Sequence, residues 1–220
     1  MSNSKAVIVM SGGLDSTVAL HWAKKEYGEL FPIHFLYGSK HSEKELNCAR
    51  KQCDKFGLNL QIVPIPLNNL FVSSLLKGGD EIPEGHYQAE NMKSTVVPFR
   101  NGIMLAIAGG YAESVGAPYL VLGNHSGDHA IYPDCTEEFI KGMNKALWAG
   151  TYKHIQIVSP FCNKTKADIV KIGAELGVDF NQTYSCYKGH TIHCGKCGTC
   201  VERKEAFQLA GVEDPTVYEE

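Results

Sequence analysis

The chain has 220 residues, of which 44% are hydrophobic and 20% are charged, values close to those of ordinary globular proteins. This composition argues against a disordered, collagen-like or coiled-coil chain, and the length predicts one compact core with a small appendage. Twenty-one basic and 24 acidic residues give a formal net charge of −3, which argues against binding to nucleic acid through its phosphates. Residues 1–5 and the short apolar run after them resemble neither a signal peptide nor a membrane span, so we expect a cytoplasmic protein with no membrane partner.

Apolar runs of strand length alternate with helical stretches along most of the chain. The predicted strands are residues 6–10, 33–37, 60–63, 119–122 and 154–158, and the predicted helices are residues 16–27, 42–56, 102–115, 137–148 and 165–176. This alternation is typical of βαβ units. We therefore predict an α/β fold with a doubly wound, mostly parallel five-stranded sheet. In the fifth helix Thr165 and Asp168 form a capping-box pattern, so we interpret Asp168 as a helix cap.

Residues 64–95 interrupt the alternation with a long segment rich in asparagine, glycine and proline. It contains one short helical pattern, at residues 70–76. A long insertion of this kind is usually functional or disordered, and we predict a lid over the active cleft, with a disordered surface loop as the alternative. The predicted domains are an α/β domain at residues 1–177, which includes this insertion, and a C-terminal segment at residues 178–220 with a last helix near residues 201–210.

The first predicted strand ends in Ser11-Gly12-Gly13-Leu14-Asp15-Ser16-Thr17 and runs directly into a helix. Two adjacent glycines let the main chain approach a ligand closely, the hydroxyls of Ser11 and Ser16 add hydrogen-bond donors, and the helix N-terminus carries a partial positive charge of about half a unit. We interpret these seven residues as a nucleotide-binding loop that holds polyphosphate. The patterns G-x-x-x-x-G-K-[ST] and G-x-G-x-x-G are absent from the sequence. The alternative is a glycine-rich turn with Asp15 as a helix cap.

Half of the eight cysteines lie close together with the spacing C-x7-C-x2-C-x2-C, namely Cys186, Cys194, Cys197 and Cys200. Without a secretion signal, clustered thiols predict a metal site rather than disulfides. Four thiolates fit one structural Zn²⁺ that clamps the tail onto the core. An iron–sulfur cluster is the alternative, although Lys204 stands where the ferredoxin pattern has its next cysteine. We interpret the scattered cysteines as small packed side chains, with Cys135 in a pocket: Cys48, Cys53, Cys135 and Cys162.

Three polar and aromatic segments follow the ends of predicted strands, at residues 95–101, 123–129 and 131–135. In an open α/β sheet, ligands bind outside the carboxyl ends of the strands. Aspartates there accept hydrogen bonds from a guanine-like edge, an arginine binds a carboxylate, and aromatic rings stack on a flat base. The predicted substrate-binding residues are Phe99, Arg100, Asn101, Asp128, Tyr132 and Asp134. His125 and His129 are candidate proton relays, and loop capping or packing is the alternative for each of these residues.

The loop at residues 11–17 resembles the S-G-G-x-D-S signature of the N-type ATP pyrophosphatases, which cleave ATP between its α and β phosphates and hold the departing pyrophosphate. The resemblance implies an adenine nucleotide alpha hydrolase-like fold and ATP binding by this loop. It also implies that Asp15 helps to hold Mg²⁺ on the phosphates, since a hard cation prefers oxygen ligands. The implied catalytic residues are Asp15, Ser16, Arg100 and Lys166.

Several separated motifs resemble the 7-cyano-7-deazaguanine synthase (QueC) family, and together they cover nearly the whole chain. They lie at residues 11–16, 97–101, 132–135, 166–168 and 185–187 and at the closing cysteines. Many members have glycine where Phe99 stands, and a Cys-Glu-Thr-Asp run where this chain has residues 125–128. The resemblance implies that ATP, ammonia and 7-carboxy-7-deazaguanine give the nitrile through an acyl-adenylate and an amide, in queuosine and deazapurine biosynthesis. It also implies a homodimer.

Three other functions use the same features. A related adenylating enzyme stops at the amide, or transfers the deazaguanine acyl group to another amine such as a protein N-terminus. A tRNA-modifying enzyme usually carries a basic surface or an RNA-binding domain, and the sequence indicates neither. A zinc module that binds nucleotide only as a regulator releases no AMP.

Overall fold

The computed structural model describes residues 2–86, 90–125 and 131–219. Its strands are β1 (Ser2–Val9), β2 (Tyr27–Leu36), β3 (Gln61–Pro64), β4 (Tyr119–Val121) and β5 (Gln156–Val158). They form one sheet in the order β3-β2-β1-β4-β5, with every neighbouring pair parallel. The predicted five-stranded parallel sheet is confirmed. Strand β2 begins six residues before the predicted run, because Tyr27 and the residues after it pair with β1.

Six α-helices connect and follow these strands. They are α1 (Leu14–Glu26), α2 (Ser42–Lys55), α3 (Arg100–Val115), α4 (Glu137–Gly150), α5 (Lys166–Glu175) and α6 (Gly198–Ala210). Helix α5 begins with the predicted capping box, in which Thr165 and Asp168 each bind the other's backbone N–H. No helix in the described part of the chain is both long and apolar enough to cross a lipid bilayer.

The helices cover both faces of the sheet. Along β1, Val7 packs in one hydrophobic cluster with α3 and α4, whereas Ala6 and Ile8 pack in a second cluster with α1, α2, α5 and α6. Successive side chains of a strand point to opposite faces, and all three residues are fully buried. A parallel strand covered on both faces requires this pattern. The doubly wound arrangement is therefore confirmed.

The strand order reverses beside β1, because β2 and β3 extend on one side of it and β4 and β5 on the other. In such sheets a crevice forms outside the carboxyl ends of the strands at this switch point. The loops that follow β1 and β4 meet there so closely that a Cβ atom on Gly123 would lie 3.0 Å from the carbonyl oxygen of Asp15. The fold thus places residues 11–17 at the sheet's ligand-binding edge.

The long insertion lacks the helix predicted at residues 70–76, and that prediction is wrong. A single 3₁₀ turn occupies Leu67–Asn69, and turns and extended chain follow it. Leu75 and Leu76 are buried in the core, and the backbone N–H of Lys40 donates to the carbonyl of Leu75 at 2.9 Å. In a helix over residues 70–76 the N–H of Ser74 would donate to the carbonyl of Leu70, but it donates to the carbonyl of Ser94 at 2.9 Å, so tertiary pairing overrides the local helical pattern.

The described part of the insertion also contacts the C-terminal segment. The N–H of Gly85 donates to the carbonyl of Lys196 at 3.0 Å, and Glu84 forms an ion pair with Lys188. These contacts attach the insertion to the cysteine-rich tail. Its role as a lid stays a prediction.

The C-terminal segment shares the main core of the protein. The fully buried Arg203 of α6 donates to Thr183 Oγ1 at 2.8 Å and to the carbonyl of Phe180 at 3.2 Å. It also pairs with Asp214 at 3.2 Å. Phe207 packs in the same cluster as α1 and α5. Residues on both sides of residue 177 therefore share one cluster, and the division of the chain at that residue stays a prediction.

Candidate active site

The loop after β1 directs three consecutive N–H groups into one small space. Ser16 Oγ accepts the N–H groups of Ser11 and Gly12, each at 3.2 Å. Ser11 Oγ lies 2.9 Å from Ser16 Oγ and accepts the N–H of Gly13 at 3.1 Å. Converging N–H groups at a helix N-terminus form an anion-binding nest. The hydroxyls organise this nest, and a phosphate oxygen can take their place as the acceptor.

Close packing fixes the position of the loop. Gly12 has a left-handed φ of +87°, and a Cβ atom there would lie 2.1 Å from the carbonyl oxygen of Glu45 in α2. A side chain is therefore excluded both by conformation and by space. Leu14 and Thr17 are buried in the first turn of α1, where they anchor the helix N-terminus behind the loop.

Three charged side chains meet beside this loop. Lys166 Nζ lies 3.2 Å from Asp15 Oδ2 and 2.7 Å from Glu202 Oε2. His125 Nε2 lies 4.0 Å from both carboxylates. The cluster contains two predicted residues and one, Glu202, that the sequence analysis missed. Glu202 follows the cysteine motif on α6, and only the packing of α6 against α5 brings it to the site.

A cavity of about 220 Å³ joins the loop to the N-terminal end of α3. Its wall includes most of the predicted loop together with Lys166 and several predicted substrate residues. The wall residues that the sequence analysis singled out are Ser11, Gly13, Leu14, Asp15, Ser16, Arg100, Asn101, Tyr132, Cys135 and Lys166. The structure therefore assembles the predicted phosphate loop and part of the predicted substrate pocket around one space.

Arg100 is the cationic side chain at the α3 part of the cavity wall. Its Nη1 donates to Tyr37 Oη at 3.2 Å, and its guanidinium carbon lies 5.4 Å from the centre of the Tyr37 ring. An arginine stays protonated in proteins and presents a planar fork of N–H donors. This part of the wall can therefore bind a carboxylate.

Asp134 and Asn101 are joined by hydrogen bonds at the start of α3. Asp134 Oδ2 accepts the backbone N–H of Asn101 at 2.8 Å, and Asn101 Nδ2 donates to the Asp134 carbonyl and to Cys135 Sγ, both at 3.1 Å. Asp134 is buried and, unlike Asn101, is not part of the described cavity wall. Its carboxylate binds a helix N-terminus, as the macrodipole favours, and a direct contact with substrate stays a prediction.

Tyr132 contributes a buried aromatic surface to the cavity. Its Oη lies 2.8 Å from Thr95 Oγ1 and 3.3 Å from Tyr187 Oη. Tyr187 also lines the cavity, as does Tyr184. These rings offer faces on which a planar base can stack.

Phe99 has an unusual backbone and an exposed ring. Its φ of +52° is left-handed, and its side chain is 58% exposed. The ring lies over Gly102, where a Cβ atom would come within 2.3 Å of it, and makes an edge-to-face contact with Phe139 at 5.8 Å. The left-handed φ explains why glycine suits this position. Stacking of Phe99 on substrate stays a prediction.

Comparing Phe99→Gly with Phe99→Ala isolates the cost of this backbone conformation. Both variants lose the ring, but only glycine adopts a left-handed φ without a Cβ penalty. We expect the glycine variant to be the more stable of the two by about 1 kcal/mol in the free energy of unfolding. Urea unfolding measures this difference. Equal stability would contradict the interpretation that the backbone at Phe99 is strained.

The cavity wall also contains two titratable residues that no sequence motif indicated, His41 and Glu45. They stand four positions apart at the start of α2, shortly after the carboxyl end of β2. Their position after the end of a predicted strand is a sequence feature that could have identified them, because ligands bind along this edge of the sheet. Among the earlier candidates, His125 is buried near Asp15, and Asp128 and His129 lie outside the described residues.

The four clustered cysteines form a compact buried group. All of their Sγ atoms lie within 4.8 Å of one another, and the side chains are at most 2% exposed. Backbone N–H groups of Cys194 and Cys197 donate to the sulfurs of Cys186 and Cys194. Four converging thiols with N–H donors to their sulfurs fit a bound metal ion. The predicted metal-binding cluster is therefore present.

The cysteine cluster is connected to the cavity through residues that neighbour its cysteines in sequence. Thr199 Oγ1 donates to the Ser185 carbonyl at 2.7 Å, and the N–H of Tyr184 donates to the carbonyl of Gly12 in the phosphate loop at 3.0 Å. Tyr184, Ser185 and Thr199 all line the cavity. The cysteine-rich tail is thus part of the cavity wall.

Comparison with solved structures shows which known proteins share this fold. The NH3-dependent NAD synthetase from Campylobacter jejuni matches with a TM-score of 0.51 and 17% identity, covering 83% of this chain and 68% of that one. NMN synthetase from Francisella tularensis matches with a TM-score of 0.50 and 14% identity, covering 94% and 77%. At these identities the likeness concerns the fold. The strand order, the loop at the switch point and these neighbours define the fold class: a doubly wound parallel α/β sheet of the adenine nucleotide alpha hydrolase-like type.

Sequence comparisons define the family. The model of the queuosine biosynthesis protein QueC family matches residues 5–211. A 7-cyano-7-deazaguanine synthase from Porphyromonas gingivalis is 51% identical over 215 residues, 97% of each chain. Another from Desulfotalea psychrophila is 52% identical over 214 residues, covering 97% of this chain and 98% of that protein. The chain belongs to the QueC family, and the resemblance found in its motifs is confirmed.

Proposed function

We propose that this protein is an ATP-dependent carbon–nitrogen ligase that converts 7-carboxy-7-deazaguanine and ammonia into 7-cyano-7-deazaguanine. The observation that carries the proposal is the single cavity whose wall contains both the phosphate loop and Arg100. A reaction that adenylates an acid needs a polyphosphate site and a carboxylate site beside each other. The near-complete match to relatives with this name supports the choice of acid.

The proposed reaction has two activations. First, a carboxylate oxygen attacks the α-phosphorus of ATP and the bond to the β-phosphate oxygen breaks, giving an acyl-adenylate and pyrophosphate. Ammonia attacks the acyl carbon, AMP departs with the carboxylate oxygen, and the nitrogen loses a proton to give the amide. The amide oxygen then attacks the α-phosphorus of a second ATP and a second pyrophosphate departs, after which loss of AMP and the two remaining N–H protons leaves the nitrile.

The chain's own groups supply binding and charge neutralisation. The N–H groups of residues 11–13 hold the departing pyrophosphate, Arg100 orients the substrate carboxylate, and Lys166 offsets charge beside Asp15. Asp15 Oδ1 is buried without a hydrogen-bond partner in the described part of the chain, which fits a ligand for Mg²⁺. When bound with ATP, Mg²⁺ neutralises charge on the phosphate oxygens.

We also propose that the cysteine cluster holds one structural Zn²⁺. Tetrahedral zinc with Zn–S bonds of 2.3 Å separates its sulfurs by about 3.8 Å, close to the 4.0 Å between Cys194 Sγ and Cys200 Sγ. This spacing suits one ion better than a four-iron cluster. We expect about one zinc per chain and a colourless protein, measured by elemental analysis and visible absorption. A brown protein that contains iron would contradict the assignment.

The nitrogen donor, the partners, the cellular compartment and the oligomeric state are proposed on separate grounds. Free ammonia is the nitrogen donor, and the net charge of −3 argues against nucleic acid as a partner. Reduced cysteine ligands and the use of ATP favour the cytoplasm. A homodimer is proposed from the QueC resemblance, and light scattering measures it.

Incubation with ATP, Mg²⁺, ammonium and 7-carboxy-7-deazaguanine, followed by mass spectrometry of the base, tests the function. We expect the nitrile together with AMP and pyrophosphate. An amide as the final product would identify a related enzyme that stops earlier. A conjugate with an added amine would identify an acyl transferase, and no AMP above background would overturn the enzymatic proposal.

A further inference from the structure

A carboxyl group and an imidazole lie together in the cavity wall. Glu45 Oε2 is 3.5 Å from His41 Nε2, and the side chains are 16% and 3% exposed. The backbone of Glu45 packs directly on Gly12 of the phosphate loop. Both residues line the same cavity as Arg100 and Asp15. The pair therefore lies where an adenylated acid would react.

Hydrogen bonding determines where the protons of this pair reside. His41 Nδ1 lies 3.3 Å from the carbonyl oxygen of Tyr187, and because a carbonyl only accepts, Nδ1 carries a proton. In a neutral imidazole Nε2 is then an acceptor. Its contact with Glu45 is a hydrogen bond when the carboxyl group holds the proton. This hydrogen bond to His41 therefore holds the protonated Glu45 carboxyl group in place, and the carboxyl group can later release its proton.

The surroundings favour uncharged forms of both groups. Burial lowers the pKa of His41 to about 4 and raises the pKa of Glu45 to about 8, although the charge of Arg100 opposes the rise at Glu45. Among the described residues, Tyr37, just after β2, and Cys48, on α2, are further titratable groups that face Glu45. A carboxyl group with a pKa near the working pH is suited to accept and return protons during turnover.

We propose that Glu45 is the general base that removes protons from the substrate nitrogen, with His41 as its positioning residue. The inference rests on the proposed function. In amide formation, the nitrogen of ammonia forms a bond to the acyl carbon, AMP leaves with its oxygen, and the released N–H proton passes to the Glu45 carboxylate. In nitrile formation, the amide nitrogen gives its two protons to the same carboxylate one after the other, the first when the amide oxygen is adenylated and the second as AMP leaves. Each proton then leaves to solvent.

The amide-to-nitrile step tests this role without free ammonia, whose own protonation would distort a pH profile. The carboxamide of the deazaguanine serves as substrate with ATP and Mg²⁺, and nitrile is measured between pH 6 and pH 9. We expect the wild-type rate to rise with pH and to level off above about pH 8, because the unprotonated carboxylate is the active form. Glu45→Gln is expected to lower the rate about 100-fold and to abolish this rise.

Two further measurements separate proton transfer from binding and folding. Carboxylate-dependent exchange of pyrophosphate into ATP, measured without ammonia, reports the first adenylation, and we expect Glu45→Gln to retain it. Glu45→Asp keeps a carboxylate and should recover part of the rate and the pH dependence. Glu43→Gln, at an exposed position of the same helix, is the matched control and should behave like the wild type.

The outcomes distinguish this inference from the proposed function. If the wild type makes no nitrile from the amide, the proposed function itself fails. If the wild type makes nitrile and Glu45→Gln keeps the same rate and pH profile, Glu45 is not the base. Loss of pyrophosphate exchange together with nitrile formation in Glu45→Gln would also overturn the inference, since it indicates a role in binding or folding.

Discussion

Replacing Asp15 with asparagine is expected to lower the rate of AMP formation about 100-fold, equivalent to roughly 3 kcal/mol of lost transition-state stabilisation. The amide has nearly the same shape but no charge. Asp15 Oδ2 lies 3.2 Å from Lys166 Nζ, and Oδ1 is buried with no hydrogen-bond partner among the described residues. Asparagine keeps only one side-chain oxygen, so the substitution removes the negative charge and leaves either the cation on ATP or the Lys166 ammonium without its oxygen partner. The measurement is kcat for AMP release at saturating ATP.

Asp54→Asn is the matched control for this prediction. Asp54 is an exposed carboxylate near the end of α2, so its replacement changes the net charge equally without touching the cavity. We expect wild-type turnover from this control. If Asp15→Asn keeps wild-type turnover and needs no more magnesium than the wild type, the assignment of Asp15 to the phosphate site is contradicted.

Replacing Cys194 with serine is expected to release the metal, lower the melting temperature by about 10 °C and reduce turnover at least tenfold. Structural zinc sites contribute roughly 10 kcal/mol or more at neutral pH, and losing about 4 kcal/mol of this shifts the melting temperature of a chain of this size by about 10 °C. Activity falls too, because Tyr184 and Thr199 belong to the cavity wall. Elemental analysis, calorimetry and AMP release measure the three effects.

Cys162→Ser is the control for the cysteine prediction. Cys162 is a partly buried thiol outside the cluster, so its replacement should leave the metal content and the turnover unchanged. A Cys194→Ser variant that loses its metal but keeps full turnover would show that the tail does not shape the active site.

Residue patterns were sufficient to predict the sheet and most of the helices. Strands such as β1 are buried on both faces and read as continuous apolar runs, and Thr165 with Asp168 marks a helix start by local chemistry. The insertion was less predictable. Its helical pattern at residues 70–76 depends on local spacing, whereas Leu75 is held by a long-range hydrogen bond from Lys40.

The candidate site was predictable where its residues are close in sequence. The phosphate loop and the cysteine cluster each have a characteristic spacing, so both were found. Glu202 and Glu45 belong to no such spacing. Glu202 pairs with Lys166 of the cavity wall, and Glu45 lines the cavity, only because their helices pack beside the switch point. Asp134 was found as a polar residue near a strand end, but its hydrogen bond to the backbone of Asn101 emerged only from the fold.

The sequence by itself determined the α/β architecture and located the glycine-rich loop and the four clustered cysteines, because each depends on periodicity or on residues a few positions apart. Only the tertiary structure decided which charged groups share the cavity. Lys166 contacts carboxylates from α1 and α6, and Glu45 pairs with His41 in a buried wall. Burial shifts the pKa values of His41 and Glu45 toward their uncharged forms, and this burial arises only when distant segments pack over the pair.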